Sequence, residues 1–126
     1  MFIFDFIKKR IDSVKYAING VSLIIKTQHN AWIHTMMTII ASTLGFVLKI
    51  DISEWIMLIL AIVSVWVAEG LNTAIECLGD IVSPQYHQLI GKSKDVAAGA
   101  VLISAIGAII IGSIIFVPKI ILLYGR

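Results

Sequence analysis

From Val96 to Val117 the chain carries no charged side chain, only Ala, Ile, Val, Leu, Gly, Ser and one Phe. About 20 such residues cross a hydrocarbon core as a helix, so this run dictates a membrane setting. Two further segments extend the pattern. Ala31–Leu48 has no formal charge and one histidine, His34. Trp55–Ala68 is uncharged and continues into a mixed stretch, Glu69–Asp80, so it crosses only as part of a longer helix whose lower portion faces protein or water. The composition agrees: 59% of the residues are hydrophobic, 14% are charged and the mean hydropathy is +0.97. A soluble domain of this size buries only about two-thirds of its unfolded surface and could not hide so much apolar area.

Ahead of the first span, Ile7, Ile11, Val14, Ile18, Val21 and Ile25 recur at three- and four-residue steps. Lys8, Lys9, Asp12, Lys15 and Asn19 fall largely elsewhere on the wheel. This predicts an amphipathic helix over residues 6–26, lying in the membrane interface. The expected architecture is all-α: one surface helix followed by spans at about 31–48, 55–80 and 96–117, forming a single domain over 1–126. Lys49, Asp51, Ser53 and Glu54 make a polar turn between the first two spans. Ser83 and Pro84 end the second helix, a polar loop runs through Lys94 and Asp95, and Pro118 marks the end of the third span.

Orientation follows from the basic residues flanking the spans. Lys8, Lys9, Arg10, Lys15, Lys26, Lys92 and Lys94 fall on one side, against Lys49, Lys119 and Arg126 on the other. The expectation is that the N-terminus and second loop are cytoplasmic. Tyr16, Trp32, Trp55, Tyr86 and Tyr124 suit interfacial anchoring, whereas Trp66 suits packing between helices. Met1–Phe6 is too short for a signal-peptide core, so none is expected. The single cysteine, Cys77, reads as packing. A net charge of +2 is too small to suggest nucleic acid.

The chemistry concentrates in Glu69-Gly70-Leu71-Asn72-Thr73-Ala74-Ile75-Glu76-Cys77-Leu78-Gly79-Asp80. Helical steps put Asn72, Glu76 and Asp80 within roughly 60° of the Glu69 direction. Three carboxylates and an amide on one stripe of a membrane helix are costly and repel one another. A shared cation, or a proton held by one carboxylate, relieves that repulsion; a polar seam between subunits is the bland alternative. Gln85, Tyr86 and His87 follow, then Lys92, Lys94 and Asp95. A lysine beside carboxylates suits a nucleotide phosphate site with Mg²⁺, which takes carboxylate, phosphate and water oxygens. No Walker A or kinase glycine loop is present.

The Glu69, Asn72-Thr73-Ala74, Glu76, Asp80 pattern strongly resembles the bacterial membrane diacylglycerol kinase family. So do Tyr86-His87 and Lys94-Asp95, and the likeness spans roughly Ser13–Ile115. The family's signature is Glu-x-x-Asn-Ser/Thr-Ala-x-Glu-x-x-x-Asp on the second transmembrane helix. Lys15-Tyr16-Ala17 with Gly20, and Lys26-Thr27 with Asn30, Ile33 and His34, are similar to the branch common in Gram-positive bacteria, whose members often prefer undecaprenol. The resemblance implies an ATP- and Mg²⁺-dependent lipid kinase of the bacterial inner membrane, acting on diacylglycerol or undecaprenol. It also implies a homotrimer with active sites composed from neighbouring protomers.

Residue by residue, the resemblance implies Glu69 as the base that orients and deprotonates the lipid hydroxyl. Glu76 then becomes a ligand of the nucleotide's magnesium, with Asn72 and Asp80 supporting the stripe. It implies Lys94 on the γ-phosphate with Asp95 beside it, Tyr16 near the adenine, and Gln85, Tyr86 and His87 bordering the nucleotide. Lys9 stands where an arginine can contact the nucleotide. One departure concerns Gln28, where the family usually has a glutamate serving as a second magnesium ligand. Glutamine keeps a carbonyl oxygen and loses the charge, and Asp5 and Asp12 are poorly spaced substitutes. Three readings stay open: weaker metal use, an inactivated variant, or lost catalysis with retained lipid binding. Two non-kinase classes also stand, an oligomeric lipid-binding or transport component and a proton-coupled carrier using the carboxylates as a relay.

Overall fold

The computed structural model describes residues 2–125 as four helices: α1 (Phe2–Thr27), α2 (His29–Val47), α3 (Ile52–Val82) and α4 (Gln88–Tyr124). Met1 and Arg126 lie outside the described residues, as do the side chains of Phe2 and Tyr124, so the basic count at Arg126 and the anchoring expected of Tyr124 fall outside them. No strand occurs among the described residues. Helices α3 and α4 form the principal pair, with α1 and α2 packed on it more lightly.

The buried core sits near the α2–α3 turn, where Ile50, Leu58, Ile115 and Phe116 meet beneath Trp55 and Leu44. The turn explains the location. Lys49 has a φ of 49°. Its N–H donates to the Phe46 carbonyl at 3.3 Å, and the N–H of Ile50 donates to the Gly45 carbonyl at 3.1 Å. This is the Schellman ending of a helix, with lysine where glycine is usual. Gly45 itself is required by close approach: a Cβ there would lie 2.8 Å from Trp55 Cη2. Asp51 then starts α3 with a capping box. Its Oδ1 accepts from the backbone N–H groups of Ser53 at 3.0 Å and Glu54 at 3.1 Å, while Glu54 Oε2 accepts from the N–H of Asp51 at 2.9 Å.

Two expectations about boundaries fail. Pro118 does not end the last helix, which runs on to Tyr124. Proline removes one N–H from the i→i−4 ladder, but the following Lys119 is tied to Glu54 of α3 by an ion pair of 2.9 Å. That contact holds the continuing turns against α3. The expected polar loop through Lys94 and Asp95 is also helix: only Ser83–His87 is irregular, and α4 begins at Gln88. His87 caps it, with Nδ1 accepting from the N–H of Leu89 at 3.3 Å.

Among the described residues, α3 and the Gln88–Leu123 portion of α4 are long and apolar enough to cross a membrane. In the qualifying windows only 22% and 17% of the residues are buried within the chain. The core helix of a soluble protein would be mostly covered, so these faces are made for lipid or for another copy. Helix α2 falls short of the same measure, because His29, Asn30, His34 and its threonines dilute the run.

Candidate active site at the polar end of α3

One face of α3 changes character below Trp66. Glu69, Asn72 and Thr73 are all buried, at 1%, 6% and 4% exposure. The Thr73 hydroxyl donates back to the Glu69 carbonyl at 2.9 Å, so it serves the helix. Asn72 and Glu76, one turn apart, are joined side chain to side chain: Asn72 Nδ2 donates to Glu76 Oε1 at 2.9 Å. From the start of α2, Gln28 Nε2 reaches the other carboxylate oxygen of Glu76 at 3.4 Å. Gln28 can do this because the backbone leaves helix there, with φ −94° and ψ 119°, and the break between α1 and α2 turns it toward α3.

Two of the three acids on the stripe have partners within the chain. Glu76 takes two amides. Asp80, largely exposed, pairs with Lys94 across from α4. Gly79 makes room for that lysine, since a Cβ there would lie 2.8 Å from Lys94 Cε. Glu69 faces His34 of α2, with Oε2 3.7 Å from Nε2. Four buried polar atoms here have no hydrogen-bond partner: His34 Nε2, both Glu69 carboxylate oxygens and Asn72 Oδ1. Buried polar atoms are usually paired, and those left open at such density mark a place that something else completes.

The other expected site residues make no hydrogen bond to the stripe among the described residues. Lys9 and Tyr16 are exposed on α1, Gln85, Tyr86 and His87 on the linker, and Asp95 on α4. Tyr86 and Tyr16 are 89% and 75% exposed. Among the described residues no group of three His, Cys, Asp or Glu side chains is poised to hold a metal. The expected pair, Gln28 and Glu76, is brought together.

Beside the stripe, α2, α3 and α4 line a partly open apolar cavity of about 560 Å³. Its walls are apolar apart from Thr38, Ser113 and His34, with Trp66 and Phe116 as the aromatic members. Trp66 packs between helices as its position suggested, its Nε1 donating to Thr38 Oγ1 at 3.2 Å. Helical spacing within one segment does not report the approach of His34 to Glu69. A lone histidine inside an otherwise uncharged span was the available signal.

The sequence model of prokaryotic diacylglycerol kinase matches residues 15–116. The chain belongs to the prokaryotic diacylglycerol kinase family. This lipid kinase is 36% identical over 107 residues to an undecaprenol kinase of Bacillus subtilis, covering 85% of this chain and 87% of that protein. It is 39% identical over 107 residues to a diacylglycerol kinase of Synechocystis, covering 84% of this chain and 61% of the relative. A diacylglycerol kinase of Escherichia coli is 40% identical over 63 residues, half of this chain and 52% of the relative. The family and the two long apolar helices make this an integral membrane protein. Its phosphoryl transfer is of a class that depends on a metal in general.

Proposed function

We propose that the chain transfers the γ-phosphate of ATP to the primary hydroxyl of a membrane lipid alcohol, undecaprenol or diacylglycerol. The products are ADP and undecaprenyl phosphate or phosphatidic acid. The observation that carries this reading is the buried Glu69 carboxylate, whose two oxygens lack partners within the chain, on the same helical stripe as the amide-held Glu76.

Glu69 is the general base. Its carboxylate takes the proton as the lipid O–H bond breaks. The alcohol oxygen forms a bond to the γ-phosphorus, and the bond from that phosphorus to the β,γ-bridging oxygen breaks as ADP leaves. Burial at 1% exposure keeps water from competing as acceptor. Asn72 holds Glu76 in place and lies beside the lipid hydroxyl. Lys94 exchanges its exposed partner Asp80 for the transferring phosphoryl group, and Asp80 guides it there.

Glu76, with the amide oxygen of Gln28, would hold Mg²⁺, and the unpartnered Asn72 Oδ1 fits the same oxygen-rich surroundings. Such an ion, when bound, neutralises charge on the β- and γ-phosphates. Mg²⁺ commonly takes one or two carboxylates together with phosphate and water oxygens, which suits a single carboxylate beside an amide.

The whole chain acts as one domain with three crossings, α2 included, in the inner membrane. The N-terminus and Lys94 face the cytoplasm, as the excess of Lys8, Lys9, Arg10, Lys15 and Lys26 supports. The chain works as a homotrimer with sites shared between protomers. The support is that Lys9, Tyr16, Gln85, Tyr86, His87 and Asp95 are exposed and make no hydrogen bond to Glu76 among the described residues, while α3 and α4 keep uncovered apolar faces. In the assembly these residues border the nucleotide. The cavity beside His34 and Trp66 takes an acyl or prenyl chain.

Purified protein in mixed micelles, given radiolabelled ATP and then undecaprenol or diacylglycerol, tests the reading and names the acceptor. Label should appear in one lipid at the expense of the other. Label in neither would leave a lipid-binding or transport component, for which the neutral Gln28 is the feature in favour.

A further inference from the structure

His34 and Glu69 come from different helices and face each other inside the protein without a completed hydrogen bond. Nε2 and Oε2 stand 3.7 Å apart, with the side chains 15% and 1% exposed. That gap exceeds a hydrogen bond, and a shift of about 0.7 Å would close it to the usual length. Nε2 and both carboxylate oxygens have no other partner in the chain.

The imidazole also meets a ring on α3. Its ring lies edge-to-face with Trp66, centroids 6.3 Å apart and planes at 67°. The Thr38 hydroxyl donates to the His34 carbonyl at 2.7 Å while accepting from Trp66 Nε1 at 3.2 Å. Trp66 of α3 thus ties to α2 twice, at the His34 ring and at the Thr38 hydroxyl, near the height of Glu69. The same ring forms part of the cavity wall.

We propose that His34 is the positioning residue for Glu69, donating from Nε2 to one carboxylate oxygen and leaving the other free for the lipid hydroxyl proton. The inference rests on Glu69 being the base. A buried carboxylate with two free acceptors has no preferred rotamer at its terminal torsion, and a base must lie within hydrogen-bond reach of the proton it takes. One fixed donor selects a rotamer and keeps the second oxygen available. Because His34 lines the cavity, a lipid chain lying there delivers its hydroxyl to the edge where the pair sits.

The test compares His34→Phe, which keeps a ring against Trp66 and loses the donor, with His34→Gln, which keeps an N–H donor. Both are assayed as full-length protein in mixed micelles with MgATP and the accepted lipid. His34→Phe should lower kcat by about tenfold or more, the scale of a misplaced catalytic group. KM for MgATP and lipid should stay within about twofold, and His34→Gln should recover most of the loss. Parental kcat in His34→Phe, equal loss in both variants, or a loss confined to KM would each overturn the assignment. Where the phenylalanine variant does not fold, His34→Met against His34→Gln carries the same comparison. Retained turnover in Glu69→Gln would strike the base reading itself, an outcome separate from every His34 result.

Discussion

The two ends of α3 treat polar groups in opposite ways. At the Ile52 end the acidic groups Asp51 and Glu54 are answered within the chain. Asp51 and Glu54 exchange hydrogen bonds with each other's backbone, Glu54 binds Lys119, and Trp55 fills the space above Gly45. At the Glu69 end the polar atoms are more deeply buried and less satisfied, with four lacking any partner. Satisfied polar groups hold a helix junction together; unsatisfied ones in a low-dielectric interior are costly and persist where a ligand completes them. The first end is therefore read as structure and the second as chemistry, and substitutions at the two should separate stability from turnover.

The largest effect is expected from Glu69→Gln. Turnover should fall by about a thousandfold, within the range attributed to general bases, while MgATP binding and thermal stability stay near the parent. Turnover assays with nucleotide-binding titrations check both halves. Gly45→Leu should do the reverse. It forces a side chain into the Trp55 ring and should cost about 1–3 kcal/mol by overpacking, seen as a lowered melting temperature. Activity per folded molecule should be retained.

Gln28→Glu restores a second carboxylate beside Glu76 and should raise turnover several-fold while lowering the Mg²⁺ concentration for half-maximal rate. Superimposable magnesium titrations of the two forms would remove Gln28 from the metal site. Smaller still, Lys49→Gly should stabilise by about 1 kcal/mol, since it relieves a left-handed lysine. Denaturation midpoints of the two forms measure it.

The weakest contrast is in pH. The hydrogen bond from the Ser53 hydroxyl, with backbone donors, holds the Asp51 carboxyl below its usual value of 3.8. A lowered folded-state pKa gives stability that is full above the unfolded value and drains as the pH falls through the folded one. The melting-temperature gap between the parent and Asp51→Ala should therefore be wide at neutral pH and narrow below 3.8.

Much of this contrast is visible in the sequence for a physical reason. Apolar runs and three- and four-residue steps report helices directly, and α1 to α4 lie where those patterns fall. The stripe of Glu69, Asn72 and Glu76 follows from helical rotation alone. What rotation does not report is the neighbour. That Lys94 turns to Asp80 depends on Gly79 leaving room on a different helix, and that His34 meets Glu69 depends on how α2 is locked by Thr38 and Trp66. Local signals also misled at two boundaries. Lysines read as loop, although Lys92 and Lys94 are good helix formers and the first turn of α4 is capped by His87. Pro118 read as a stop, although an ion pair one residue later holds the helix in place.

The most direct measurement is lipid phosphorylation by Glu76→Ala in micelles, followed as a function of Mg²⁺. If the acidic edge of α3 cradles a metal-bound nucleotide, the rate should collapse across the whole titration while the protein stays folded. A variant that phosphorylates lipid at the parental rate and the parental Mg²⁺ midpoint would contradict the account.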